Sequence, residues 1–310
     1  MAGRVLSIGE CMVELRQAEG GLFERGFAGD SFNTAYYLRA FLPPDHAVDY
    51  FTAVGTDPAS AEMLAFMRAA GVGIGFIRRV PGRQPGLYMI HLDRGERSFS
   101  YWRSASAARL LADDPAGLRA ALAVSDTIFF SGITLAILAP EAAATLLAEV
   151  GRARDAGKLV AFDPNIRPGL WDSPERMWQV ISAGAEAATM AMPSFEDEAR
   201  HFGDASVDRT VARYHGLGVA KVLVKDGARG VTLSFGGDKA FVPSFAADRL
   251  VDTTGAGDSF NGAFLARYLT TGDQRRAAEF AARVAATVIG HHGALVGKQA
   301  LRGLVEDSAS

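Results

Sequence analysis

The sequence predicts an α/β fold, with a mainly parallel central sheet and helices on both faces, and three observations predict it. Short β-branched and aromatic runs alternate with longer alanine- and leucine-rich segments along most of the 310 residues, the order that strand–helix–strand units produce. The runs are continuously apolar rather than alternating, as expected of strands covered on both faces. With 49% hydrophobic and 22% charged residues, the chain can bury a large core.

In chain order, strands are expected at Val5–Ile8, near Met12–Leu15, and at Tyr50–Val54. Helical spacing covers Ser31–Phe41 and Ala59–Ala70. The pattern then breaks. Gly86–Asp93 and Ser98–Arg103 read as two strands joined by the polar turn Asp93-Arg94-Gly95-Glu96-Arg97, and the second alternates in Ser98-Phe99-Ser100-Tyr101-Trp102-Arg103. Together with the strand near Met12 they make either a small sheet projecting over a cleft as a lid or a hairpin at the sheet edge. The regular order resumes with strands at Thr127–Ser131, Leu159–Asp163, Thr189–Met192 and Lys221–Lys225, and with helices at Pro140–Ala156 and Pro174–Ala187. No internal repeat or long linker is visible, and the polar tail after Gly303 is expected to fray.

The bulk numbers exclude several classes. A formal net charge of −3 argues against nucleic acid or an anionic membrane as the main partner, since both call for a basic face. The single cysteine, Cys11, rules out an internal disulfide and fits a reducing compartment. No signal peptide opens the chain, and no apolar run nears the roughly 20 residues a membrane helix needs. A cytoplasmic protein is expected.

The strongest local signal is Asp252-Thr253-Thr254-Gly255-Ala256-Gly257-Asp258-Ser259-Phe260. Phe260, Ala263, Phe264 and Arg267–Tyr268 follow at helical spacing, and Gly272 stands where a C-terminal cap belongs. A turn of small residues opening a helix lets a polyanion approach the amides of Gly255, Ala256 and Gly257, helped by the helix dipole. An acid at Asp258 repels such an anion. It either complements the dipole of its own helix or serves as a base that takes a proton from an attacking hydroxyl. Other phosphate motifs fail: the stretch ending Gly297-Lys298-Gln299 has His292 where a P-loop needs its first glycine, and Gly71-Val72-Gly73-Ile74-Gly75-Phe76 lacks the third glycine of a dinucleotide fingerprint. No G-x-S-x-G elbow occurs, and His291-His292 lack zinc-type partners.

Asp252–Phe260 resembles the C-terminal signature of the ribokinase-like, or PfkB, family of carbohydrate kinases. Gly29-Asp30-Ser31-Phe32-Asn33-Thr34-Ala35 resembles that family's substrate motif, Asp163-Pro164-Asn165-Ile166-Arg167 its central one, and Lys225-Asp226-Gly227-Ala228-Arg229-Gly230 its nucleotide-side turn. These landmarks span nearly the whole chain in family order. The resemblance implies a single domain over residues 1–310, a three-layer α/β/α ribokinase-like fold with lid segments at about 11–28 and 84–104. It implies Asp258 as base, Gly255–Gly257 as anion hole, ATP as co-substrate around Ser194, Lys225, Gly227, Gly230, Gly255 and Gly257, and Mg²⁺ bound mainly through phosphates and water. One stretch departs from the family pattern: Pro193-Ser194-Phe195-Glu196-Asp197-Glu198 has serine and aspartate where the family has Asn-x-x-Glu. Asp197 is the expected metal-side carboxylate, with Glu196 and Glu198 open alternatives.

Within the family the chain most resembles the 2-keto-3-deoxygluconate kinases, through Gly9–Leu15, Gly86-Leu87-Tyr88 and Gly95–Ser104. A carboxylate substrate wants a planar multi-donor cation, which arginine supplies. By resemblance Gly29 and Asn33 hold sugar hydroxyls, Tyr88, Tyr101 and Arg103 close from the lid, and Arg167 meets carboxylate or phosphates. The expected reaction phosphorylates the primary hydroxyl of 2-keto-3-deoxygluconate. The alternatives are another sugar kinase of the ribokinase or fructokinase type, or a non-catalytic sensor. The expected partners are a small sugar acid and ATP, and an exposed lid sheet could pair with a second copy.

Overall fold

The structure, a computed structural model, describes residues 3–93, 96–297, 299–301, 303 and 304. Residues 94 and 95 of the hairpin turn and the tail beyond 304 lie outside the described residues.

The chain begins with β1 (Arg4–Ile8), leaves the main body through β2 (Met12–Gln17) and β3 (Phe23–Ala28), and returns by α1 (Asp30–Phe41) to β4 (Ala47–Phe51). There follow β5 (Ala53–Val54), α2 (Pro58–Ala69), β6 (Arg78–Arg79), and the hairpin β7 (Leu87–Asp93) and β8 (Glu96–Trp102). The middle runs α3 (Pro115–Ala123), β9 (Thr127–Ser131), α4 (Gly132–Ile137), α5 (Pro140–Asp155), β10 (Leu159–Asp163), α6 (Pro174–Glu186) and β11 (Met190–Ala191). It ends with α7 (Phe195–Phe202), α8 (Val207–Gly216), β12 (Lys221–Lys225), β13 (Gly230–Phe235), β14 (Asp238–Pro243), α9 (Ala256–Thr271) and α10 (Gln274–Val288).

Eight strands form the main sheet in the order β14-β13-β12-β11-β10-β9-β1-β4. From β4 to β12 all neighbours are parallel, and β12, β13 and β14 are antiparallel. The pleat explains the continuous apolar runs, because successive side chains enter opposite layers. Val5, Phe129, Ala161 and Leu223 join one core cluster with Phe32, Met63, Phe264 and Ala278, from α1, α2, α9 and α10. Leu6, Ile128, Phe130, Val160, Phe162, Val222 and Val224 join the other with Leu118, Leu146, Ile181 and Tyr214, from α3, α5, α6 and α8. Three layers result.

Several expectations need correcting. Tyr50–Val54 is not one strand: β4 ends at Phe51, and Ala53–Val54 pairs with β6 in a separate two-stranded sheet. The strand expected at Thr189–Met192 is reduced to Met190–Ala191. The hairpin of β13 and β14 is an addition to the alternation pattern, and its turn, Gly236-Gly237, has φ of 57° and 96°, values suited to a tight hairpin reversal. Gly272 does cap α9 in the left-handed conformation.

The small sheet has the order β3-β2-β7-β8, with β2 and β7 parallel and the outer pairs antiparallel. Met12, Ala28, Tyr88 and Ile90 form its inner apolar cluster, and Ala294 from the segment after α10 completes it. That contact seats the small sheet beside the carboxyl ends of the main strands.

Candidate active site

A cleft of about 790 Å³ opens between the small sheet and the carboxyl edge of the main sheet. In a parallel α/β sheet this edge is where chain reversals gather polar loop residues. Here they come from the exits of β1, β10, β11 and β12 and the starts of α1 and α9, and Glu10, Asp30, Asp163, Ser194, Lys225 and Asp258 all line the cleft.

Gly255 precedes α9 with φ 76°, and a Cβ there would lie 2.8 Å from both the Cα and the carbonyl oxygen of Ala294. Both constraints select glycine. Gly255→Ala is therefore expected to cost about 1–3 kcal/mol, read as a lower melting temperature. An unchanged melting point would show that the turn relaxes around a methyl group. The Ala256 amide donates to Thr253 O at 3.2 Å, a bond within the turn itself. Gly255, Gly257 and Asp258 line the cleft.

Asp258 sits in the first turn of α9, where its Oδ2 accepts from Asn33 Nδ2 of α1 at 2.8 Å. Asn33 in turn accepts from the Gly29 amide with its Oδ1 at 3.3 Å. Burial pushes the Asp258 carboxyl up to about 7, the negative charge of Asp30 adds to the rise, and the Asn33 hydrogen bond and Lys225 oppose it. A carboxylate titrating near neutrality is matched to general-base work.

A polar chain supports this carboxylate. Asp30 Oδ2 accepts from Asn165 Nδ2 at 2.9 Å, and the Asn165 amide donates to Asp163 Oδ1 at 3.1 Å. Lys225 Nζ donates to Asp163 Oδ2 at 2.9 Å and to Asn261 Oδ1 at 3.0 Å, and Asn261 Nδ2 returns to Asp163 Oδ2 at 2.5 Å. A Cβ on Gly257 would lie 3.8 Å from Lys225 Nζ, so this cation flanks the turn. The motifs of the sequence contain Asp30, Asp163 and Asn165 without marking them as partners. Asn261 was findable, because it stands three residues after Asp258 on one helix face.

On the nucleotide side expected from sequence, Ser194 and Gly227 line the cleft, and Gly230 does not. Gly230, in β13, is paired with Pro243 of β14, and a side chain there would strike β14. The acidic triplet divides. Glu196 pairs with exposed Arg200, Glu198 is fully buried against Arg213 and Tyr214, and only Asp197 lines the cleft. Burial raises the Asp197 carboxyl, with Arg167 working against the rise.

On the small-sheet side, Tyr88, Tyr101 and Arg103 line the cleft. The Tyr88 hydroxyl donates to Glu14, so its ring rather than its oxygen is offered to a ligand. Tyr101 lies opposite Tyr88 in the β7–β8 register, is 52% exposed and stacks on Phe99. Arg103 is held by Glu10, whereas Arg167 is half-exposed, donates to the Ile166 carbonyl at 2.7 Å and stands 3.7 Å from Asp197.

A family model described as pfkB family carbohydrate kinase matches residues 2–300. A 2-dehydro-3-deoxygluconokinase of Dickeya dadantii is 40% identical over 95% of this chain and 97% of its own length. One of Escherichia coli K12 is 38% identical over 97% and 99%. A crystal structure of an ATP-bound fructokinase from Xylella fastidiosa superposes with a TM-score of 0.85 at 22% identity, covering both chains fully. No helix among the described residues is long and apolar enough to cross a membrane.

Proposed function

The chain belongs to the pfkB family of carbohydrate kinases, and from that premise we propose that it transfers the γ-phosphoryl group of ATP to the primary hydroxyl of 2-keto-3-deoxygluconate, giving the 6-phosphate. The observation that carries this reading is Asp258 at the mouth of the small-residue turn, oriented by Asn33 and facing the same cleft as Arg103 and Arg167.

The hydroxyl proton passes to Asp258 as the oxygen attacks the γ-phosphorus and the bond to the ADP oxygen breaks. The amides of the Gly255–Gly257 turn, with Lys225 beside them, stabilise charge on the phosphoryl oxygens. Ser194 and Gly227 bound the nucleotide side. Arg103 and Arg167 take the substrate carboxylate, Gly29 and Asn33 its hydroxyls, and Tyr88 and Tyr101 cover it. Closure of the small sheet excludes water that would otherwise hydrolyse ATP.

The donor set fits Mg²⁺ bound through phosphates and water. Asp197 is a desolvated carboxylate lining the cleft, and one or two such carboxylates suffice for a magnesium ion when substrate phosphates and water supply most ligands. Asp197 would hold the ion through water, and the ion would supply neutralisation of developing phosphoryl charge. We place the enzyme in the cytoplasm, with its nucleotide. The exposed Trp102 on edge strand β8 supports pairing of the small sheet with a second copy.

The test is ADP release with Mg·ATP against 2-keto-3-deoxygluconate, its galacto epimer, gluconate, ribose and fructose. Turnover confined to the keto-deoxy acids is expected, and Arg103→Ala is expected to raise their KM about 100-fold, the scale of a lost buried charge contact. Turnover of a neutral sugar would remove the carboxylate pocket and leave the chemistry. Silence across the panel would point to a sensor.

A further inference from the structure

Glu10 has no part in the chemistry above, yet it is 2% exposed at the exit of β1, lines the cleft, and pairs through Oε2 with Arg103 Nη2. The two residues are 93 apart in sequence, and their contact joins the main sheet to the end of the lid strand β8. The pair is poorly built for stability. Glu10 Oε1 and Arg103 Nε are both buried without a hydrogen-bond partner, and a buried ion pair with unmet polar atoms stabilises a fold weakly at best. Room is nevertheless kept for it: a Cβ on Gly86 would lie 2.8 Å from Glu10 Oε1 and 3.2 Å from Arg103 Cβ. Such imperfect pairing is the kind of local cost that persists at functional sites.

We propose that Glu10 is a positioning residue for sugar-acid recognition: it fixes the Arg103 guanidinium at the cleft wall, so that the lid presents a pre-oriented donor to the substrate carboxylate. This rests on the reading of Arg103 as a carboxylate contact. Arginine loses less freedom per hydrogen bond when its fork is held in advance. Without Glu10, Arg103 would be a buried cation with no partner in a closed lid, and would swing away.

The test is steady-state kinetics of Glu10→Gln, Arg103→Ala and the double variant, with melting curves for each. Glu10→Gln is expected to raise KM for the sugar acid about 10-fold or more, with KM for ATP within about twofold of the parent. The double variant should be no worse than Arg103→Ala alone, because a positioning group has nothing left to position. An unchanged KM in Glu10→Gln, or effects of the two variants that simply add, would overturn the proposal. If Glu10→Gln melts too low to assay, Gly86→Ala, which presses on the same pair from just before β7, is expected to raise the same KM selectively; an equal loss in both KM values would likewise overturn it. Failure of the underlying reading looks different: the parent enzyme would not turn over the keto-deoxy acid, or Arg103→Ala would leave its KM unchanged.

Discussion

Asp258→Asn is expected to lower kcat by on the order of a thousandfold or more while ATP and sugar acid still bind. Asparagine keeps the shape and can still meet Asn33, but it cannot accept the hydroxyl proton. The same carboxyl sets the pH dependence. Its value is pushed up to about 7, and the reaction needs the ionised form, so kcat/KM should rise with pH through about 7 and level off above. The stability effect has the opposite sign. A carboxyl whose value rises on folding stabilises the fold when protonated, below its unfolded value of about 3.9, and that contribution is lost as pH rises through about 7. At pH 8, then, Asp258→Asn should melt no lower than the parent and preferably higher. Near-parental turnover in this variant would end the assignment of the base, and a melting point well below the parent would mean that the carboxylate is structural.

Lys225→Met is expected to lower kcat/KM for ATP by on the order of a hundredfold to a thousandfold. The ammonium flanks Gly257 and holds Asp163 and Asn261 together. Its loss removes a cation from the phosphoryl side and leaves Asp163, which is buried, without its charge partner. Two readouts separate these consequences. The acid limb of the pH profile should move upward, since Lys225 opposes the rise of Asp258. Stability should fall by about 3–5 kcal/mol from the uncompensated carboxylate, and adding Asp163→Asn should recover much of that stability without recovering turnover. A double variant that regained turnover would reduce Lys225 to a structural ion pair.

Much of the fold was legible because strand signals here are local. Thr127–Ser131, Leu159–Asp163 and Lys221–Lys225 stand where their apolar runs put them, since any run covered on both faces must be apolar throughout. Boundaries failed where pairing decided them. Nothing in Tyr50–Val54 itself says that the chain leaves one sheet at Phe51 and enters another at Ala53. The hairpin of β13 and β14 sits at the sheet edge, where β14 is mostly exposed and so has a weaker apolar signal.

The sequence by itself determined the chemistry that small residues and one acid allow: the Gly255–Asp258 turn opening a helix, and the landmark motifs that place the chain among carbohydrate kinases. Those are contiguous residues, and their meaning needs no partner. Only the tertiary structure decided which groups meet. It set Asn33 against Asp258 across 225 residues of chain and Lys225 against Asp163 across 62. It turned Asp197 to the cleft and Glu198 into the core, gave the Ala256 amide to Thr253, and closed Glu10 on Arg103. Ion pairing and desolvation depend on distances of a few ångströms between distant segments, and such distances exist only after the strands have been laid side by side.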